Sequence, residues 1–428
     1  MKVRNREMLK RNNVYTQKGI TLIALVITII ILIILAGISI SLVLGKNGII
    51  TKAKQAKTTT EQAKQNEEIG LNEATKYIEE MGVSGSATNP PETIKTVEEV
   101  KGGDYFEKPT TIKDSNGNTI EVPEGFKIAE DSGKNVTEGI VIEDNDIVDG
   151  IGNNRGNQYV WIPVGNGIKK SDGTTIDITL GRYAFANGTS DKDSSGNILA
   201  KGTPILKQNA ENYTQEIVID SYYKELLTPR IGVSSSNTNT TALNLKGFID
   251  SVKENGGYYI ARYEASYGTD GKVNSKVSNT FTDSNTAPTT RTEGMLWNFI
   301  TQIDAATASR NLYTTATTDL INSYAWDTAI VYIQEFSGDI DYSKQNLKNT
   351  SILNTGTNGD EICKINDMAS NMMEWTTEYS TNTAGSYAYP CTTRGGYYGD
   401  SSSCTSYRFS NLATLSYKFF SFRITLYM

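Results

Sequence analysis

Residues 20–44 are 25 consecutive uncharged residues, mostly leucine or β-branched. At roughly 1.5 Å per residue, such a run in helical form exceeds the ~30 Å hydrocarbon core of a bilayer. A secretory h-region of about 7–15 residues would be much shorter, so the run predicts a transmembrane helix. Lys2, Arg4, Arg6, Lys10, Arg11 and Lys18 precede it against a single acid, Glu7. That asymmetry predicts a single-pass protein of the cell membrane, with a cytoplasmic N-terminus and an extracellular C-terminal domain. Ala53, Ala56, Thr60, Ala63, Gly70, Ala74, Tyr77 and Met81 then recur at three- and four-residue spacing, broken only by Glu67. The stripe predicts a helical stalk over residues 45–82. Gly82, Gly85 and the Pro90-Pro91 pair end it and open a linker over residues 83–100.

Composition narrows the chemistry open to the remaining residues. The chain has 428 residues, enough for one large domain or two ordinary ones. A net charge of −7 and a pI near 5.1 argue against nucleic acid as a partner. Three cysteines exclude a disulfide-dense scaffold. The histidine count is zero, which excludes a Ser-His-Asp triad, a His-ligated zinc and an imidazole base. Twenty-four tyrosines among many Asn, Ser, Thr and Gly residues suit a contact surface of rigid rings and short polar groups.

From about Thr93 the pattern shortens to strands and turns. Gly156-Asn157-Gln158-Tyr159-Val160-Trp161-Ile162-Pro163-Val164 reads as a strand ended by proline. Residues 166–240 are rich in Gly, Asp, Ser, Thr and Asn, and read as a polar, loop-bearing insertion with few structural anchors. Leu245, Phe248, Ile249 and Val252 recur at helical spacing before the strand Gly257-Tyr258-Tyr259-Ile260-Ala261-Arg262-Tyr263-Glu264. Met295, Leu296, Phe299, Ile300 and Ile303 predict a second helix; Trp326, Ala329, Ile330 and Ile333 predict a third.

Short words in the chain carry two resemblances. Lys18-Gly19 followed by Ile20-Thr21-Leu22-Ile23 resembles the prepilin cleavage and methylation motif. It implies a basic leader over residues 1–19, processing between Gly19 and Ile20, and a prepilin peptidase as partner. Ala24 stands where pilins usually carry glutamate. At the other end, Asn366-Asp367-Met368-Ala369-Ser370-Asn371-Met372-Met373-Glu374-Trp375-Thr376, then Arg394-Gly395-Gly396, then Phe422-Arg423, resemble the signature of the formylglycine-generating enzyme family. The strands at residues 156–164 and 257–264 resemble that family's as well. The likeness implies an α+β, C-type-lectin-like domain over residues 101–428, carried on the pilin-like transmembrane helix. It also implies a structural calcium held with help from Glu374, a carboxylate suited to a hard cation. A glutamate bonded to neighbouring backbone amides is the other reading of that position.

Family members that oxidise cysteine hold copper(I) between two thiolates, as a soft metal requires. Counted from Gly395-Gly396, those positions fall at Asp400 and near Thr405, with Cys404 one residue off. The thiolate pair is therefore missing. Cys391 and Cys404 could bridge and leave Cys363 free, although spacing alone does not decide it. Tyr397, Tyr398, Asp400, Ser401, Ser402, Ser403, Thr405, Ser406, Asn411, Ser416, Tyr417, Phe419 and Phe420 alternate with scaffold-like Arg408, Leu412 and Phe422. This resembles the exchangeable C-terminal face of diversity-generating retroelement target proteins. The expectation is a non-catalytic, surface-displayed binder of an extracellular protein or glycan through these thirteen residues. A minor pilin or pseudopilin, and a formylglycine-generating-like oxidase using another metal, are the alternatives.

Overall fold

The computed structural model describes residues 93–428, apart from residues 153, 235 and 347–350. The leader, the Gly19–Ile20 junction, the apolar run and the stalk lie outside the described residues. The described unit begins at Thr93 rather than at residue 101. A short helix, Val97–Val100, already belongs to it, started by a capping box between Thr96 and Glu99.

The described residues depart from the sequence expectation in two respects. Twenty-one strands and only four α-helices make them predominantly β, not an α+β fold on a pilin-like helix. No helix among the described residues is long and apolar enough to cross a membrane. The longest, Ser323–Ser337, has 15 residues, about 22 Å at 1.5 Å per residue and short of the ~30 Å required. The transmembrane, prepilin and single-pass cell-surface assignments therefore have no support in the described structure.

Much of the added β-structure comes from the polar stretch over residues 166–240. Gly165–Lys169 pairs with Thr175–Ile178, and Gly181–Phe185 with Pro204–Asn209. Its aspartates make the turns: Asp172 accepts from the Thr174 amide at 2.9 Å, and Asp193 accepts from the Ser195 and Asn197 amides at 2.9 and 2.8 Å. Side chains of this kind hydrogen-bond the backbone just ahead of them, so the polar residues are turn formers rather than marks of disorder.

Two larger sheets organise the unit. The first runs β8-β13-β7-β3-β2-β1, all antiparallel, where β1 is Lys127–Ile128, β2 Val141–Glu143, β3 Gln158–Pro163, β7 Gly257–Ala261, β8 Thr317–Leu320 and β13 Ile424–Tyr427. Strands β3 and β7 are buried along their whole length, as their continuous apolar and aromatic runs require. At their crossing Trp161 opposes Tyr259, with ring centroids 4.9 Å apart. Counting on, β4 is Gly181–Phe185, β5 Pro204–Asn209 and β6 Tyr223–Lys224. The second sheet runs β6-β9-β10-β11, with β9 Met373–Ser380, β10 Cys391–Arg394 and β11 Arg408–Asn411; β12, Phe420–Phe422, lies parallel to β9.

Helix α1, Leu245–Asn255, starts at Asn244, whose side chain accepts from the Gly247 amide, and stops at Gly256 with φ 72°. It buries Leu245, Phe248, Ile249 and Val252. Helix α3, Ser323–Ser337, starts at Asn322 and is buried nearly all round. The helix expected from Met295 onward begins only at Gln302, as α2, Gln302–Ser309. Phe299 has φ 54°, which a helix cannot contain, and Thr301 accepts from the Asp304 amide to start the helix after it.

Candidate ligand-binding face at the C-terminus

The three C-terminal words meet in the second sheet. Glu374 pairs in register with Arg394 on one side and Ser421 on the other, and Trp375 opposes Phe422. Two buried ionic networks fix these strands. Arg423 donates to Glu374 through Nη2 at 2.6 Å and Nε at 3.0 Å, and reaches the carbonyls of Ala261 and Asn366, both at 2.7 Å. One guanidinium thus ties β9 to the end of β7. Deeper in, Glu378 accepts from Arg182 at 2.6 Å and from Arg408 at 3.1 Å, with Arg394 at 3.5 Å. Asp327 of α3 holds Arg394 at 2.5 Å and Arg408 at 2.6 Å. Burial opposes ionisation of Glu378, but Arg408, Arg182 and Arg394 outweigh it and hold the carboxyl at about 2.

Arg182 comes from the stretch expected to have few structural anchors. Its side chain is fully buried and donates to Ser323, Gln208 and two carbonyls besides Glu378.

The Glu374 geometry answers the calcium expectation. Both its oxygens face Arg423, so its counter-charge is a guanidinium and the carboxylate does not fit a cation-ligand role. Among the described residues, no group of three or more His, Cys, Asp or Glu side chains is arranged to hold a metal ion. Asp400, at the first copper position, is a loop cap: one oxygen accepts from the Ser402 amide and hydroxyl at 2.8 and 2.7 Å, the other from the Ser403 amide at 3.1 Å and the Ser403 hydroxyl. Cys363, Cys391 and Cys404 are all free thiols, so the Cys391–Cys404 bridge does not form. Cys391 lies instead against Gln302 at 3.1 Å.

The thirteen expected contact residues divide. Tyr397, Asp400, Ser401, Ser402, Ser416, Tyr417 and Phe419 reach solvent at least in part, whereas Tyr398, Ser403, Thr405, Ser406, Asn411 and Phe420 are buried. The buried ones have internal partners: Thr405 donates to the Tyr342 carbonyl at 2.9 Å, Asn411 to Thr393 at 3.0 Å, and Phe420 packs on Trp375 at 5.0 Å. Tyr398 donates to Asp283 at 2.6 Å; burial and that carboxylate together raise its phenol well above the usual range.

The exposed aromatics gather into one patch. Phe419 stands 4.5 Å from Tyr397, 5.4 Å from Tyr398 and 5.0 Å from Tyr417, centroid to centroid. Burial raises the Tyr397 phenol, and Asp400, Tyr407 and Tyr417 are close enough to raise it further. Four neighbours were absent from the expected set. Tyr407, just before β11, and Phe409, on it, stack at 6.1 Å, flanking Arg408, which points inward while its neighbours must point out. Strand alternation around Arg408 was signal enough to find that pair. Phe299, 6.4 Å from Tyr417, and Asp283, paired with Lys418 at 3.2 Å, come from more than a hundred residues upstream. No local pattern announces them.

No family model matches the chain, and no curated protein matches it. Among solved structures, one titled "Crystal Structure of CarF" aligns with a TM-score of 0.26 at 12% identity, covering 63% of this chain and 98% of that one. A likeness so slight places neither fold nor function.

Proposed function

We propose that the protein is a non-catalytic binder that receives a protein or glycan on the aromatic face around Phe419. The observation that carries this reading is the patch itself. Tyr397, Tyr407, Phe409, Tyr417 and Phe419 each keep ring surface in solvent, beside strands locked by buried ion pairs. Rigid rings that lose little freedom on binding, ringed by short hydroxyl side chains, are what recognition surfaces favour. The resemblance to formylglycine-generating-like domains supports the reading from the same residues, since Asp400 and Cys404 leave no thiolate pair.

The test is a glycan and protein array probed with the full chain and with a variant carrying alanine at Tyr397, Phe409 and Tyr417. These side chains make no hydrogen bond across the core, so the variant should fold and lose binding. A variant that binds as well as the parent refutes the face. If the segment is a diversified one, genes of sister strains should differ at codons for exposed Tyr397, Ser401, Ser402 and Tyr417 and not at those for buried Thr405, Asn411 and Phe420. Identical termini would remove diversification and leave the binding proposal standing.

A further inference from the structure

Apart from the C-terminal face, a cleft of about 510 Å³ opens between Lys272 on a hairpin turn, Trp297, and one side of α2. Its volume falls within the usual range for small-molecule sites. Trp297 forms a fixed wall, its ring held edge-on by Tyr267 at 4.9 Å and Phe422 at 5.6 Å. Arg310 is also fixed: Nε donates to Asp319 at 2.7 Å and Nη2 to the Thr241 carbonyl at 2.6 Å, which leaves Nη1 without a partner among the described residues. Lys272 has no hydrogen bond or ion pair from its amine among the described residues and is exposed.

The end of α2 adds acceptors. Arg310 has extended backbone, φ −91° and ψ 146°, so no following amide returns to the carbonyls of Thr307 and Ala308. Asp304 lines the cleft six residues before Arg310, about 9 Å away along the helix at 1.5 Å per residue. The cleft is therefore lined by two cations, a carboxylate, a row of acceptors and an aromatic wall.

We propose that this cleft binds a small sugar acid. The ring lies against Trp297, the carboxylate pairs with Lys272 and Arg310, and hydroxyls donate to Asp304 and to the free carbonyls of Thr307 and Ala308. A neutral sugar would leave the Lys272 amine and Arg310 Nη1 without an anionic partner, and a bare anion would leave the acceptors unused. The site is independent of the aromatic face.

Intrinsic fluorescence of the full chain tests it. Trp161, Trp326 and Trp375 are 1% exposed or less, so a ligand-induced change reports Trp297. Titration with sodium D-glucuronate should give a saturable change, and D-glucose none. Lys272→Glu should weaken the affinity about tenfold or more through loss of a charge-assisted contact, and Ala308→Leu, which fills the cleft, should abolish binding without lowering the unfolding midpoint. No saturable response to glucuronate, an equal response to glucose, or unchanged affinity in both variants would overturn the proposal.

Discussion

Glu378→Gln is the sharpest single perturbation of this protein. The carboxylate faces Arg182, Arg394 and Arg408 with every side chain 0–2% exposed. Neutralising it removes the only carboxylate ion-paired with Arg182 among the described residues and leaves Arg394 to Asp327 and Arg408 to Asp327 and Asp220, and the glutamine amide adds N–H donors where only donors already point. Breaking a buried ionic network from one side costs about 3–5 kcal/mol. The carboxyl's own titration expresses the same contacts as a pH dependence. Held at about 2 instead of 4.5, it corresponds to roughly 3 kcal/mol at about 1.4 kcal/mol per pH unit. Because the folded-state value is depressed, that stability is present above about 4.5 and is lost as pH falls towards 2. Guanidinium chloride unfolding of the full chain, followed by tryptophan emission, measures both quantities. All four tryptophans lie between residues 161 and 375, so the signal reports the described unit. The expected result is a loss of about 3–5 kcal/mol at pH 7, with the wild type converging on the variant as pH drops from 5 to 2.5. A variant within about 1 kcal/mol of the parent at pH 7 would be in the range of exposed pairs, and would refute the burial on which the network depends.

Three other positions give measurable outcomes. Burial, and then the Asp360 carboxylate, push Asp367 up to about 8; a raised acid contributes stability below its unfolded value that is lost as pH rises through 8, so Asp367→Asn should stabilise the protein increasingly between pH 5 and 9 in the same unfolding assay. Its φ of 66° suits asparagine, and its free Oδ1 faces no donor, so a destabilised variant at pH 9 would contradict this. Gly257→Ala would set a Cβ 2.4 Å from Trp161 Cζ2 and 2.5 Å from the Ile162 carbonyl oxygen, and should cost about 1–3 kcal/mol by overpacking, read by the shift of the thermal midpoint. Burial pushes the Cys363 thiol up to about 12 and raises Cys391 further, so iodoacetamide at pH 8 should label half-exposed Cys404 first in the native protein, by peptide mass mapping.

Periodicity carried the parts of the fold that depend on periodicity. Leu245, Phe248, Ile249 and Val252 announce α1, and the unbroken aromatic and β-branched runs of β3 and β7 announce strands buried on both faces. The helix placed at Met295 failed because apolar spacing says nothing of backbone sign, and Phe299 turns left-handed there. The polar stretch over residues 166–240 failed for a related reason. An aspartate that starts an Asx turn and one that is merely solvated look alike in sequence, yet Asp172 and Asp193 build hairpins that place Arg182 in the core. Residue type misled again at the C-terminus. Thr405 and Asn411 have the composition of a contact loop but spend their hydrogen bonds inward, whereas Tyr407 and Phe409, flanking a buried arginine, point out.

That inversion explains what kind of surface this is. A face made of hydroxyl and amide groups would depend on loops, but here the polar side chains are consumed in fastening the loops down, as Asp400 does with Ser402 and Ser403. What is left in solvent is ring, at Tyr397, Tyr407, Phe409, Tyr417 and Phe419, edged by the short hydroxyls of Ser401, Ser402 and Ser416. Beneath it, Arg394 and Arg408 pair with Asp327 and Glu378, so β11, which bears Phe409 and follows Tyr407, also bears one of the core's charges. Side chains at the surface can then change without disturbing the charge balance below, provided the arginines between them stay. Substituting Tyr407 or Phe409 should therefore alter binding alone, while Arg408→Met, one residue away from each, removes one of the two cations shared by Asp327 and Glu378 and should unfold the face.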